Sequence, residues 1–180
     1  NLKIGVNILP NEYHLSLPFA HTYGAAFVQL NHVAGEYTSG TLNISSYQQH
    51  KKEHPNIIVL GGVWPKYYRP ILGSDLETDL KIGMQRAEAI VVTGAGTGKE
   101  TPYDKIEKFR RVLGSHPLII GAGLTPENAY EQLCLADGVI VGTSLKENND
   151  TSQPIDRVKV HDFMDIVKKA RAYKESLVQR

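Results

Sequence analysis

An α/β fold with a parallel sheet, arranged as a TIM (β/α)8 barrel of which about six βα units (strands three to eight) are present, is predicted by three observations. Short Val/Ile-rich runs alternate without a break with helical stretches, the pattern of parallel strands covered by helices. The strand runs are continuously apolar rather than alternating, as expected of strands buried on both faces. Two of them, near the C-terminus, stop at glycine and lead into helix starts, like the paired phosphate-binding loops after strands seven and eight of such a barrel.

In chain order, the apolar runs place strands at Lys3–Leu9, Ala26–Asn31, Asn56–Leu60, Ala89–Thr93, Leu118–Gly121 and Gly138–Gly142. Helical spacing falls at Tyr13–Tyr23, Ser45–Glu53, Asp75–Arg86, Pro102–Leu113 and Pro126–Leu135, and the chain closes on Val160–Gln179. That last stretch is apolar at Phe163, Ile166, Val167 and Ala170 on one helical face. Ser74 with Glu77 reads as a capping box, and Thr125 before Pro126 as a cap ahead of a first-turn proline. Residues 146–156 read as a polar loop. A doubly wound open sheet is the competing arrangement, but no glycine-rich dinucleotide fingerprint follows the first strand.

The 180 residues are expected to form a single domain, N-terminally incomplete. Numbering the last two strands seven and eight makes the first visible strand the third, which leaves on the order of 70 to 90 residues of two βα units upstream. The chain begins without Met and enters a strand-like run almost at once.

With 20 Lys+Arg against 19 Asp+Glu and no dense basic run, no nucleic-acid footprint is expected. No apolar stretch approaches the roughly 20 residues of a membrane span. Cys134 is the single cysteine, so no internal disulfide and no cysteine metal cluster can form, and a reducing, cytoplasmic setting follows. It sits at the apolar end of a helix, as a small buried hydrophobe would.

Chemistry in a barrel of this kind is carried at the C-terminal ends of strands. Asn7 falls inside the first strand run, where an amide needs a polar partner. Asn11 and Glu12 serve either as a helix cap or as site residues. The second strand delivers Gln29, Asn31 and His32; Asn31 is a ligand candidate, and His32 reads as a satisfied or solvated histidine. His14, His21 and His32 lack metal-site spacing, so no metal is expected, and no cofactor either. Lys66, beyond the third strand, is a nucleophile or phosphate partner if it faces the site and a solvated loop lysine if it does not. After the fourth strand, Thr93, Gly94 and Thr97 belong to a glycine-rich turn suited to an anion, without the spacing of a P-loop. The strongest anion signal joins Gly121 and Gly123, at the start of the helix beginning near Thr125, with Gly142, Thr143 and Ser144. Asp137 before Gly138 reads as a turn residue.

Several of these segments carry a resemblance. Ile4-Gly5-Val6-Asn7-Ile8-Leu9, Ile90-Val91-Val92-Thr93-Gly94 with Thr97-Gly98, Gly121-Ala122-Gly123-Leu124-Thr125-Pro126-Glu127-Asn128, and Ala136-Asp137-Gly138-Val139-Ile140-Val141-Gly142-Thr143-Ser144-Leu145-Lys146 resemble the BtpA family, as does Gln153-Pro154-Ile155-Asp156-Arg157-Val158. The resemblance runs through nearly the whole chain in the family's order. It implies a (β/α)8 barrel of roughly 260 residues, related to phosphate-binding barrels. The family is named for a cyanobacterial factor needed for photosystem I accumulation, yet has members in non-photosynthetic organisms, so that role is not its common chemistry. Two departures stand out: an acid expected near the end of barrel strand five is Gly62, and a His expected after the retained Lys66 is Tyr67.

Together these readings favour an enzyme acting on a phosphorylated small molecule of sugar phosphate or nucleotide type. Lys66, Asn31 and Asn7 are its catalytic candidates; isomerase, aldolase and glycosyl-phosphate chemistry all stay open. The alternative is a non-catalytic assembly or biogenesis factor using the barrel as a scaffold. Either form is compatible with a homo-oligomer.

Overall fold

In the computed structural model, which describes residues 2–178, six strands form one parallel sheet. The chain runs β1 (Gly5–Val6), α1 (Tyr13–Thr22), β2 (Phe27–Leu30), a short hairpin of β3 (Glu36–Tyr37) and β4 (Gly40–Thr41), and α2 (Ile44–Glu53). It continues with β5 (Ile58–Gly62), α3 (Leu76–Met84), β6 (Ala89–Val92), α4 (Tyr103–Leu113), β7 (Leu118–Ile120), α5 (Pro126–Leu135) and β8 (Gly138–Val139). Two 3-10 turns, Thr143–Leu145 and Glu147–Asn149, lead to α6 (Arg157–Val178). Sheet order is β1-β2-β5-β6-β7-β8, so every sheet strand neighbours the one before it in the βα series.

Burial explains why these residues make these elements. All four residues of β6 are buried, as a central parallel strand requires. On α4 the buried side chains Ile106, Phe109 and Leu113 recur at helical spacing, and Gly114 ends the helix at a φ of 57°. With Leu17, Val28 and Leu118 they join a core between the sheet and its helices.

Except for β5, the sheet strands are shorter than their apolar runs, and the reasons are local. Beyond β1 the chain folds back, the Glu12 N–H reaching the Ile8 carbonyl at 3.2 Å. Asn7 therefore stands past the strand end rather than inside it. The strand expected at 56–60 instead runs to Gly62, because both glycines are needed within the sheet. A Cβ on Gly61 would stand 2.6 Å from Val33, and one on Gly62 would stand 1.9 Å from the Asn31 carbonyl oxygen. The cap of α3 is Asp75, not Ser74: its carboxylate accepts from the Thr78 N–H at 2.8 Å. At α5 the expectation holds, Pro126 opening the helix while the Thr125 N–H donates to Asn128 Oδ1 at 2.9 Å. The hairpin after β2 and the two 3-10 turns were not expected from the sequence; Gly40, at a φ of 120°, makes the hairpin's tight reversal possible. Of the last expected helix, Gln179 lies outside the described residues.

Candidate functional site at the strand mouths

The C-terminal ends of the strands surround a cavity of about 920 Å³. Asn7 reaches it from the end of β1, Asn31 from β2, Lys66 from beyond β5, Thr93 and Thr97 from beyond β6, and Gly121 from beyond β7. Six candidates scattered over more than a hundred residues of sequence thus line one space.

Five of the six are held by hydrogen bonds that involve a side chain. Asn7 Nδ2 donates to the Gln29 carbonyl at 3.0 Å, and Asn31 Nδ2 to the Tyr68 hydroxyl at 3.1 Å. The Lys66 N–H donates to Thr93 Oγ1 at 2.7 Å, while its ammonium donates to Thr97 Oγ1 at 2.9 Å. Tyr67 completes that corner: its hydroxyl accepts from the Thr97 N–H at 2.9 Å. Those Thr97 bonds, with the Lys66 charge as a lesser contribution, draw the phenol below its usual range. Tyr67 takes a φ of 69° and Trp64 one of 47°, so the loop after β5 is strained where it meets the cavity.

Lys105 supports this loop from below. Its half-buried ammonium donates to the carbonyls of Trp64 at 3.0 Å and Thr93 at 2.8 Å, and burial lowers its pKa. The Trp64 indole N–H is fixed in turn by Asp79 Oδ2 at 2.8 Å.

Gly94, Gly123, Gly142, Thr143 and Ser144 lie in the loops beside the cavity rather than among its lining residues. Gly94 and Gly123 have a packing reason to be glycine: a Cβ would stand 2.3 Å from the Glu100 oxygen in the first case and 2.1 Å from the Lys99 oxygen in the second. Gly123 also has a φ of 74°. The loops after β6 and β7 therefore touch backbone to backbone. Ser144 Oγ donates to the Leu124 carbonyl at 2.6 Å, stitching the 3-10 turn at Thr143–Leu145 to the loop after β7. Around Gly142 there is open space.

The lining also includes polar and aromatic residues that were not among the sequence candidates, notably Gln29, His32, Tyr67 and Tyr68. Gln29 was within reach of strand logic, since it lies two residues before Asn31 and residues so spaced share a face. His32 is 5% exposed, neither solvated nor satisfied: its Nδ1 is sealed off without a partner, and burial lowers its pKa to about 4. Asn11, instead of capping α1, clamps His32 by its main chain, Nδ2 to the carbonyl and Oδ1 from the N–H, both at 3.1 Å. Asp137 is likewise structural, paired with Arg110 at 2.6 Å and Lys174 at 3.0 Å. Among the described residues no three His, Cys, Asp or Glu side chains gather as a metal-binding group, and no helix is long and apolar enough to cross a membrane.

Residues 1–169 match the BtpA family. The chain belongs to that family. It is 27% identical over 169 residues to the photosystem I biogenesis protein BtpA of Synechocystis, covering 90% of this chain and 59% of that protein. An uncharacterized protein of Pyrococcus furiosus is 28% identical over 169 residues, covering 89% of this chain and 63% of its own length. This BtpA-family chain thus spans about three-fifths of the length of these relatives. Among solved structures, 3-hexulose-6-phosphate synthase from Salmonella typhimurium superposes with a TM-score of 0.65 at 17% identity, over 93% of this chain and 74% of that one. Phosphoribosyl anthranilate isomerase from Thermococcus kodakaraensis gives 0.55 at 18%, over 93% and 75%. At such identities the likeness is one of fold, and that fold is the TIM-barrel type.

The family's two departures have structural correlates here. No acid fits at Gly62, whose Cβ position is taken by the Asn31 carbonyl. Tyr67, in place of the expected His, spends its hydroxyl on Thr97.

Proposed function

We propose that the strand-mouth cavity is the ligand site of an enzyme acting on a phosphorylated small molecule of sugar phosphate or nucleotide type. The observation that carries this reading is the convergence of Asn7, Asn31, Lys66, Thr93, Thr97 and Gly121 on one cavity. The phosphate is assigned to the neighbouring corner, where the loop through Gly121 and Gly123 meets Gly142, Thr143 and Ser144. There the start of a 3-10 turn offers backbone N–H groups, and Ser144 keeps the two loops together. Lys66, which lines the same cavity as Gly121, serves as charge partner or acid/base. The relatives' greater length and the solved neighbours support taking the sheet as six of the eight strands of one barrel domain, completed on its N-terminal side.

Gly142→Asp tests the phosphate corner without a clash at the added Cβ, because nothing lies within 4 Å of it. Calorimetric titration with inorganic phosphate is expected to show binding to the unaltered chain and none to the variant, with a cooperative thermal transition showing that the variant is folded. Equal binding to both removes the phosphate from this corner. The scaffold reading takes its support from the biogenesis role of the Synechocystis relative. It predicts that Lys66→Ala leaves the cellular phenotype intact, whereas the enzyme reading predicts its loss.

A further inference from the structure

The cavity wall at β1, β2 and the loop after β5 differs from the phosphate corner in kind, and we infer that it is a subsite for an uncharged, hydroxyl-bearing portion of the ligand, recognised by His32 together with Asn31 and Asn7. This rests on the phosphorylated-ligand reading only for what is attached at the far end.

The argument begins with the two ring nitrogens of His32. Nδ1 is sealed from solvent and meets no partner. An unpaired N–H is costlier to bury than an unpaired lone pair, so the favoured neutral tautomer carries its hydrogen on Nε2. Nε2 makes no hydrogen bond among the described residues and is the ring nitrogen left for a ligand. With a pKa lowered to about 4 by burial, the ring is neutral at ordinary pH and offers one donor without a charge.

That donor is firmly aimed. Asn11 clamps the residue's main chain on both sides, and the ring packs against Tyr37, at 4.9 Å between centroids, and Tyr68, at 5.1 Å. The same cavity lining carries acceptors. Asn31 gives its Nδ2 to Tyr68 and Asn7 gives its Nδ2 to Gln29, which leaves the Oδ1 of each for the ligand. A group that accepts from Nε2–H and donates to an amide oxygen is a hydroxyl. A phosphomonoester dianion and a carboxylate are acceptors only, and two amide oxygens repel the negative charge of any phosphate. The charged side chains of the lining do not alter this: Glu12 is paired with His14 at 3.2 Å, and Lys66 is turned to Thr97. A sugar or polyol, not a second anionic group, complements the wall.

The test combines nitrogen-15 NMR of the histidine rings with calorimetry, using ribose 5-phosphate, fructose 6-phosphate, the two free sugars and inorganic phosphate as probes. At least one sugar phosphate is expected to bind about tenfold or more tighter than inorganic phosphate, the effect of two or three added neutral hydrogen bonds. It should also shift the His32 ring nitrogens, which inorganic phosphate leaves in place. In His32→Phe that advantage falls to about twofold while inorganic phosphate binds as before; in His32→Gln part of it returns. Asn31→Leu, which leaves the imidazole in place, should lose part of the advantage as well.

The inference is overturned if none of the sugars, phosphorylated or free, moves the His32 resonances, or if His32→Phe weakens inorganic phosphate as much as the sugar phosphates. Failure of the phosphate reading looks different. Inorganic phosphate then does not bind and Gly142→Asp changes nothing, yet the free sugars at high concentration still shift the ring, and the hydroxyl subsite stands.

Discussion

His32 carries an acid-sensitive contribution to stability because burial keeps its imidazole neutral down to a pH of about 4, against an ordinary value of 6.5. Between those values the unfolded chain binds a proton that the folded chain refuses, so stability is full above pH 6.5 and is lost as pH falls toward 4. The difference corresponds to about 3 kcal/mol, an order-of-magnitude figure. Urea unfolding between pH 4.5 and 7.5 should therefore show a steeper acid decline for the native sequence than for His32→Phe, which keeps a ring against Tyr37 and Tyr68. Superimposable profiles would remove the effect. Sequence alone did not disclose this residue's role, since a histidine after a strand is equally well solvated, paired or sealed. What decides it is Asn11, twenty-one positions away, which holds the His32 backbone by both its carbonyl and its N–H.

At the scale of elements, the loops after β5, β6 and β7 form one supported unit. Lys105 on α4 holds the carbonyls of Trp64 and Thr93, and the loop after β6 lies against the missing side chain of Gly123. Gly123→Ala should cost about 3 kcal/mol through overpacking and a disfavoured positive φ. For a chain of this length that lowers the melting temperature by roughly 10 °C in a thermal scan without ligand. A loss under about 2 °C would show that the two loops separate freely. Lys105→Met leaves two carbonyls unpaired and should speed hydrogen exchange at Trp64–Tyr68, with the helix amides of α4 unchanged; unaltered exchange in that loop would count against its role as a brace. Most of these elements were legible beforehand, because a continuous apolar run or a cap followed by proline states its own structure, as at β6 and α5. Boundaries set by a distant neighbour were not. Gly61 and Gly62 look like residues that follow the strand and are its last two paired residues, since only crowding by Val33 and the Asn31 carbonyl reveals why they are glycine.

For the whole molecule, the telling fact is that both edges of the sheet face the same cavity. Asn7, beyond β1, and Ile140, beyond β8, both line it, while each edge strand has a single neighbour among the described residues. The six-strand series and its parallel order could be read from alternation alone, but the gathering of its two ends could not, because curvature accumulates from the twist between strands and has no single-residue signature. It has a measurable consequence for ligand-linked stability. A ligand that fills only the phosphate corner touches the loops after β7 and β8 and should slow hydrogen exchange there alone. One that also occupies the wall of His32, Asn31 and Asn7 bridges the two edges, so protection should rise at β1 and β2 as well as at Thr143–Leu145. Bound at about a hundred times its dissociation constant, either ligand stabilises the fold by about 2.7 kcal/mol. The pattern of protection separates them, not its size. Inorganic phosphate is expected to give the one-ended pattern and a sugar phosphate the two-ended one. If a sugar phosphate protects only the β7–β8 end, the cavity does not act as a single site spanning the sheet.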